Sequence, residues 1–189
     1  MMKVLLASAS PRRIQLLQEL GFPFEVVSLN CDEIYPSNLP VAEVAAYLST
    51  LKAGNFRDLK EDEVLLTADT VVAIGNTVVG KPEDAVHATE MLQQLSGKKH
   101  QVYTAITLKT LTKTITLTDV AHIEMEILSA EEIKYYVDKY QPFDKAGSYG
   151  IQEWLGMAKI KSINGSYYTV MGLPTHLVYT QLNLLQSTI

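Results

Sequence analysis

The run Val64-Leu65-Leu66-Thr67-Ala68-Asp69-Thr70-Val71-Val72-Ala73-Ile74 constrains this chain more than any other stretch. It is apolar almost throughout and rich in β-branched residues, the pattern of a strand buried on both faces of a covered sheet. Asp69 stands in its middle. Aspartate is disfavoured in strands, and its carboxylate is costly to bury without a partner. It therefore needs a metal, a cation or a substrate beside it, or else a structural ion pair or a hydrogen bond to a neighbouring turn. Placement inside such a run favours a functional role.

A second informative stretch is Ser8-Ala9-Ser10-Pro11-Arg12-Arg13, between the apolar Val4-Leu5-Leu6-Ala7 and the helical spacing of Ile14, Leu16, Leu17 and Leu20. It reads as strand, tight turn and helix, with Pro11 at the first helical position and Ser10 as cap. A helix N-terminus with two hydroxyls and two arginines suits a polyphosphate. Taken alone, it equally describes a capped surface helix with solvated arginines. Similar double readings attach to other residues. Asp32-Glu33, after a second strand at Pro23-Val27, can reach a divalent cation or form a hydrated turn. Lys52, near the end of a helix marked by Val41, Val44, Ala45, Tyr47, Leu48 and Leu51, either complements the helix dipole or binds phosphate. Lys81 follows the Gly75-Asn76 hairpin that carries Asp69; it either points back at the same site or is an exposed loop lysine.

Asp84 is expected to cap a helix closed by Gly97. The segments 102–111 and 114–128 alternate as long antiparallel strands. Ser129 and Glu132 form a capping-box pattern ahead of a helix to Tyr140. The loop Asp144-Lys145-Ala146-Gly147-Ser148-Tyr149-Gly150-Ile151-Gln152 brings backbone and an amide side chain together, and Gln152 can read a base edge. A short strand at 159–163 and a final helix at 175–185 complete the chain.

The totals exclude several classes. The length of 189 residues suits one domain, or one core with two lobes, and is ample for a buried core. A net charge of −5 argues against a nucleic-acid surface, so an anionic ligand needs a local cationic pocket. Cys31 is the only cysteine, which rules out an internal disulfide or a cysteine-based zinc site. The four histidines lack metal-protease spacing. The N-terminal stretch is unlike a signal peptide, and no run approaches the roughly 20 apolar residues of a membrane span. A cytoplasmic location is expected.

Taken together, Ser8-Ala9-Ser10-Pro11-Arg12-Arg13, Asp32-Glu33, Lys52-Ala53, Ala68-Asp69-Thr70, Gly80-Lys81-Pro82, Asp144-Lys145-Ala146-Gly147 and Gly172-Leu173-Pro174 resemble the Maf family of nucleoside triphosphate pyrophosphatases over nearly the whole chain. The resemblance implies an α/β fold similar to that of inosine triphosphatases, a long mixed sheet bent into two lobes and flanked by helices, with the active site in the cleft between them. Arg12, Asp69-Thr70 and Gly150-Ile151-Gln152 are similar to the branch acting on dTTP and UTP. Thr67 stands where glycine is usual in the family, and Glu153-Trp154-Leu155 replaces a glycine-rich continuation.

What the resemblance implies chemically is metal-dependent hydrolysis of a pyrimidine nucleoside triphosphate to the monophosphate and pyrophosphate. Asp69 would accept the proton of the attacking water and touch the metal, and Glu33 would help hold Mg²⁺ or Mn²⁺. Ser8, Ser10, Arg13, Lys52 and Lys81 would bind the phosphates, while Arg12, Thr70 and Gln152 carry over as specificity positions. No nucleic acid or membrane is expected as a partner, and a homodimer is plausible. The alternative is a nucleotide-binding regulator of cell division without significant hydrolysis. Such a sensor has no need of a carboxylate beside metal and phosphates.

Overall fold

The computed structural model describes residues 2–187. In chain order the elements are β1 (Lys3–Leu6), α1 (Pro11–Glu19), β2 (Phe24–Val26), α2 (Val41–Gly54), β3 (Glu63–Ile74), β4 (Thr77–Val79) and α3 (Ala85–Leu95). There follow β5 (Lys99–Lys109), β6 (Thr114–Met125), α4 (Ala130–Tyr140), a single 3₁₀ turn at Ala146–Ser148, α5 (Trp154–Lys159), β7 (Ile160–Asn164), α6 (Tyr167–Met171) and α7 (Thr175–Gln186). The strands form a seven-stranded mixed sheet in the order β2-β1-β3-β5-β6-β7, with β4 paired to β3. The α/β class, the mixed sheet and the flanking helices are those expected from the sequence.

The chain divides into two compact units. The first gathers the chain up to Asp69, Thr104–Asp119, and the chain from Gly172 onward. Here β1 runs parallel to both β2 and β3, with Val4 opposite Phe24 on one side and Val64 on the other. Parallel strands need covered faces, and Leu5, Leu6, Leu65 and Leu66 are accordingly almost fully buried. Leu5, Ala7, Ala53, Leu59 and Leu65 form one cluster that joins β1, the end of α2 and β3. Helix α2 turns Val44, Ala45 and Leu48 inward, which leaves Lys52 in its last turn on the side of β3.

The second unit comprises Thr70–Tyr103 and Val120–Met171. There β3 continues into a hairpin with β4, Ile74 opposite Thr77. Met91, Leu92 and Leu95 of α3 pack with Ile133, Tyr136 and Val137 of α4 in one core. Asp84 caps α3 by accepting the His87 amide at 2.8 Å. Ser129 and Glu132 make the full reciprocal capping box at α4. His100 is buried, its Nε2 2.7 Å from the Tyr149 hydroxyl. Among the described residues no helix is long and apolar enough to cross a membrane.

One local expectation fails. Ser10 occupies the N-cap of α1 with Pro11 following, but its side chain makes no cap hydrogen bond. Instead its own amide donates to Ser8 Oγ at 3.2 Å. The two hydroxyls thus divide their work: Ser8 closes the turn, and the Ser10 side chain does not serve the helix end.

Candidate active site

In the first unit, the partner Asp69 requires is Lys52. Its Nζ lies 2.6 Å from Asp69 Oδ1 and 2.9 Å from Glu33 Oε1. The last turn of α2 supplies the lysine, β3 the aspartate, and the loop after β2 the glutamate. Asp69 is only 6% exposed, whereas the Glu33 side chain is 42% exposed. Burial raises the proton affinity of Asp69, with Glu33 adding to it, while Lys52 and Arg13 pull in the opposite direction. Lys52 is therefore both a helix-end lysine and the cation between two carboxylates.

Arg13, in the first turn of α1, is held at a distance of 159 positions along the chain: its Nε donates to the Gly172 carbonyl at 2.7 Å. Burial lowers its proton affinity, opposed by the negative charges of Asp69 and Glu33 and reinforced by Arg12. A guanidinium remains charged regardless. Arg12, Ser8 and Ser10 lie partly exposed on the same turn and helix start.

Two hydroxyls set the spacing between α2 and β3 beside this pair. Thr67 lies two residues before Asp69 on the same strand face, and Ser49 one helical turn before Lys52. Thr67 Oγ1 donates to the Ser49 carbonyl at 2.7 Å, and Ser49 Oγ donates to Thr107 Oγ1 at 2.9 Å. Thr67 thus anchors the strand to the helix that carries Lys52.

Thr70, Lys81 and Gln152 belong to the second unit. Thr70 is partly buried on β3; Lys81 and Gln152 are exposed on loops. Those two loops are tied together, because the Gly147 amide donates to the Gly80 carbonyl at 2.9 Å.

A profile of the family described as Maf-like protein matches residues 3–185. The chain belongs to the Maf family. This Maf protein is 48% identical over 185 residues to the dTTP/UTP pyrophosphatase of Bacteroides thetaiotaomicron, covering 97% of this chain and 96% of that one. It is 48% identical over 181 residues to the dTTP/UTP pyrophosphatase of Flavobacterium psychrophilum, covering 95% and 93%. Among solved structures, the Staphylococcus aureus Ham1 protein aligns over 65% of the Maf chain and 71% of its own, with 12% identity and a TM-score of 0.45.

Among the described residues of this Maf protein, no group of three or more His, Cys, Asp or Glu side chains gathers as a ready metal site. Glu33 and Asp69 nonetheless converge on one positive charge, the Lys52 ammonium, and offer it hard oxygen donors. That donor set fits a divalent ion held by one or two carboxylates together with substrate phosphates. The Gly172 carbonyl and the Ser49–Thr67 pair were not singled out by their sequence context. Gly172-Leu173-Pro174 is the one sequence signal for the former; the latter has no local pattern of its own.

Proposed function

We propose that this Maf protein hydrolyses dTTP and UTP between the α- and β-phosphates, releasing the nucleoside monophosphate and pyrophosphate. The observation that carries this reading is the buried Asp69 carboxylate paired at 2.6 Å with Lys52, whose ammonium also reaches Glu33. The names of the curated relatives support the substrate class.

In this reading Asp69 accepts the proton of the water that attacks phosphorus. Lys52, Arg13, Lys81, Ser8 and Ser10 bind phosphate oxygens, aided by the N-terminal end of α1. Arg12, Thr70 and Gln152 select the nucleotide; the Gln152 amide has both the donor and the acceptor that a pyrimidine O4 and N3 require. Glu33 and Asp69 would hold Mg²⁺ or Mn²⁺, which when bound neutralises charge on the phosphates. A cytoplasmic protein that pairs as a homodimer would fit this role, and light scattering tests the pairing.

The experiment is a panel of nucleoside triphosphates with Mg²⁺ or Mn²⁺, scoring pyrophosphate against orthophosphate. Pyrophosphate release fastest from UTP and dTTP is expected. Tight binding of UTP with no release of either product would instead favour a nucleotide-sensing regulator.

A further inference from the structure

Gln152 sits at the tip of a tight turn whose two ends are held by one side chain. The Glu153 amide donates to the Gly150 carbonyl at 3.1 Å, which closes the turn around Ile151 and Gln152. At one end, the Gly150 amide donates to the Tyr136 hydroxyl at 2.9 Å. At the other, that hydroxyl donates to Glu153 Oε2. Tyr136 is fully buried in α4, so its hydroxyl is a fixed point. Burial, and then the Glu153 hydrogen bond, raise its proton affinity, which keeps it a donor.

Glu153 is the N-cap residue of α5, where an acidic side chain ordinarily accepts its own helix's amides. It makes no such bond. Its carboxylate turns away to Tyr136 and to Lys145, whose Nζ lies 3.1 Å from Oε1. Lys145 is itself buried and also pairs with Asp144 at 2.8 Å. The absence of a side chain at residue 150 makes room for this arrangement: a Cβ there would lie 2.7 Å from the Glu153 carboxyl carbon. Gly147 extends the same loop to the Gly80 carbonyl, next to Lys81, with a φ of +71° and the Val72 methyls 3.1 Å from where a Cβ would stand. The diverted carboxylate, the buried hydroxyl and the glycine form one clamp on the turn.

We propose that Tyr136 and Glu153 are positioning residues for nucleobase selection, fixing the turn that presents Gln152. This rests on Gln152 reading the base. A glutamine amide discriminates only when its donor and acceptor are held in register with the base edge, and a loosened turn lets it adapt to other edges.

The test is steady-state hydrolysis of UTP and GTP by the full chain carrying Tyr136→Phe, Glu153→Ala or Gly150→Ala, with Gln152→Ala as control and thermal melting to establish folding. Gly150→Ala tolerates its backbone conformation and acts by displacing the Glu153 carboxylate, so it serves if either of the other variants does not fold. The expected result is a rise of about tenfold in KM for UTP, kcat within about twofold, and a fall of about tenfold in the UTP-to-GTP ratio of kcat/KM. Equal losses of kcat on both nucleotides with the ratio unchanged overturn the proposal and leave the clamp a purely structural one. If Gln152→Ala moves the ratio and no folded clamp variant does, the proposal alone fails. If Gln152→Ala leaves the ratio unchanged, its premise fails with it.

Discussion

Lys52 Nζ lies 2.6 Å from Asp69 Oδ1, and the two groups come from a helix end and the middle of a buried strand. An ion pair at that depth serves stability poorly, because desolvation offsets much of the attraction. It does hold an acid and a cation ready in one place. Asp69→Asn keeps the side chain's shape and removes its charge. Turnover of UTP is expected to fall about a thousandfold with little change in KM, as loss of a proton acceptor requires. Stopped assays with purified variant and wild type check it; near-normal turnover removes Asp69 from the chemistry.

Lys52→Met leaves Asp69 buried without the cation beside it. Both stability and catalysis should suffer: about 3 kcal/mol of folding free energy, from stranding a buried carboxylate, and a higher KM for the triphosphate. Urea denaturation and steady-state kinetics measure the two. The loss in stability should be smaller in Lys52→Met/Asp69→Asn, because the buried carboxylate charge is removed together with its cation.

The Ser49–Thr67 contact makes a separate expectation. Thr67→Val retains shape but loses the hydroxyl that donates to the Ser49 carbonyl at 2.7 Å. A small relaxation of β3 against α2 should lower kcat about tenfold with KM nearly constant. Thr67→Ser should restore most of it. Equal activity of the valine and serine variants would contradict a positioning role.

Acid stability has a readable sign. Burial holds the His100 imidazole down to about 4, so the folded state prefers it neutral. An unfolded histidine takes up its proton below about pH 6.5. Its contribution is therefore whole above pH 6.5 and is lost as pH falls toward 4, amounting to about 3 kcal/mol. Glu63 acts lower. Two hydrogen bonds from Arg57, at 2.7 and 2.8 Å, and one from the Lys60 amide hold its carboxylate down to about 2. Its contribution is present above the ordinary carboxylate range and is lost as pH falls through it toward 2. Melting temperature against pH should thus decline first below 6.5. His100→Gln should flatten that first decline and leave the second in place.

How much of this was legible in the chain depended on whether the signal was local. Asp69 stood out because a charge inside an apolar strand violates a short-range pattern. The Asp84 cap and the Ser129–Glu132 box were legible because caps act within one helical turn. Lys52 was ambiguous, since the helix-end reading and the site reading use the same position. The Arg13–Gly172 and Tyr136–Glu153 contacts were invisible, because a bond between residues distant in the chain leaves no period in the sequence. Helices α5 and α6 are too short for the 3.6-residue period to emerge. Ser10 misled because residue type identifies a cap position but not where its hydroxyl turns.

Phosphorus-31 spectroscopy of the products of UTP hydrolysis in ¹⁸O-enriched water tests the central claim most directly. The expected spectrum shows UMP and pyrophosphate in equal amounts, formed by wild type and absent with Asp69→Asn. UDP and orthophosphate from wild type, or the same UMP and pyrophosphate from Asp69→Asn at the wild-type rate, would contradict it.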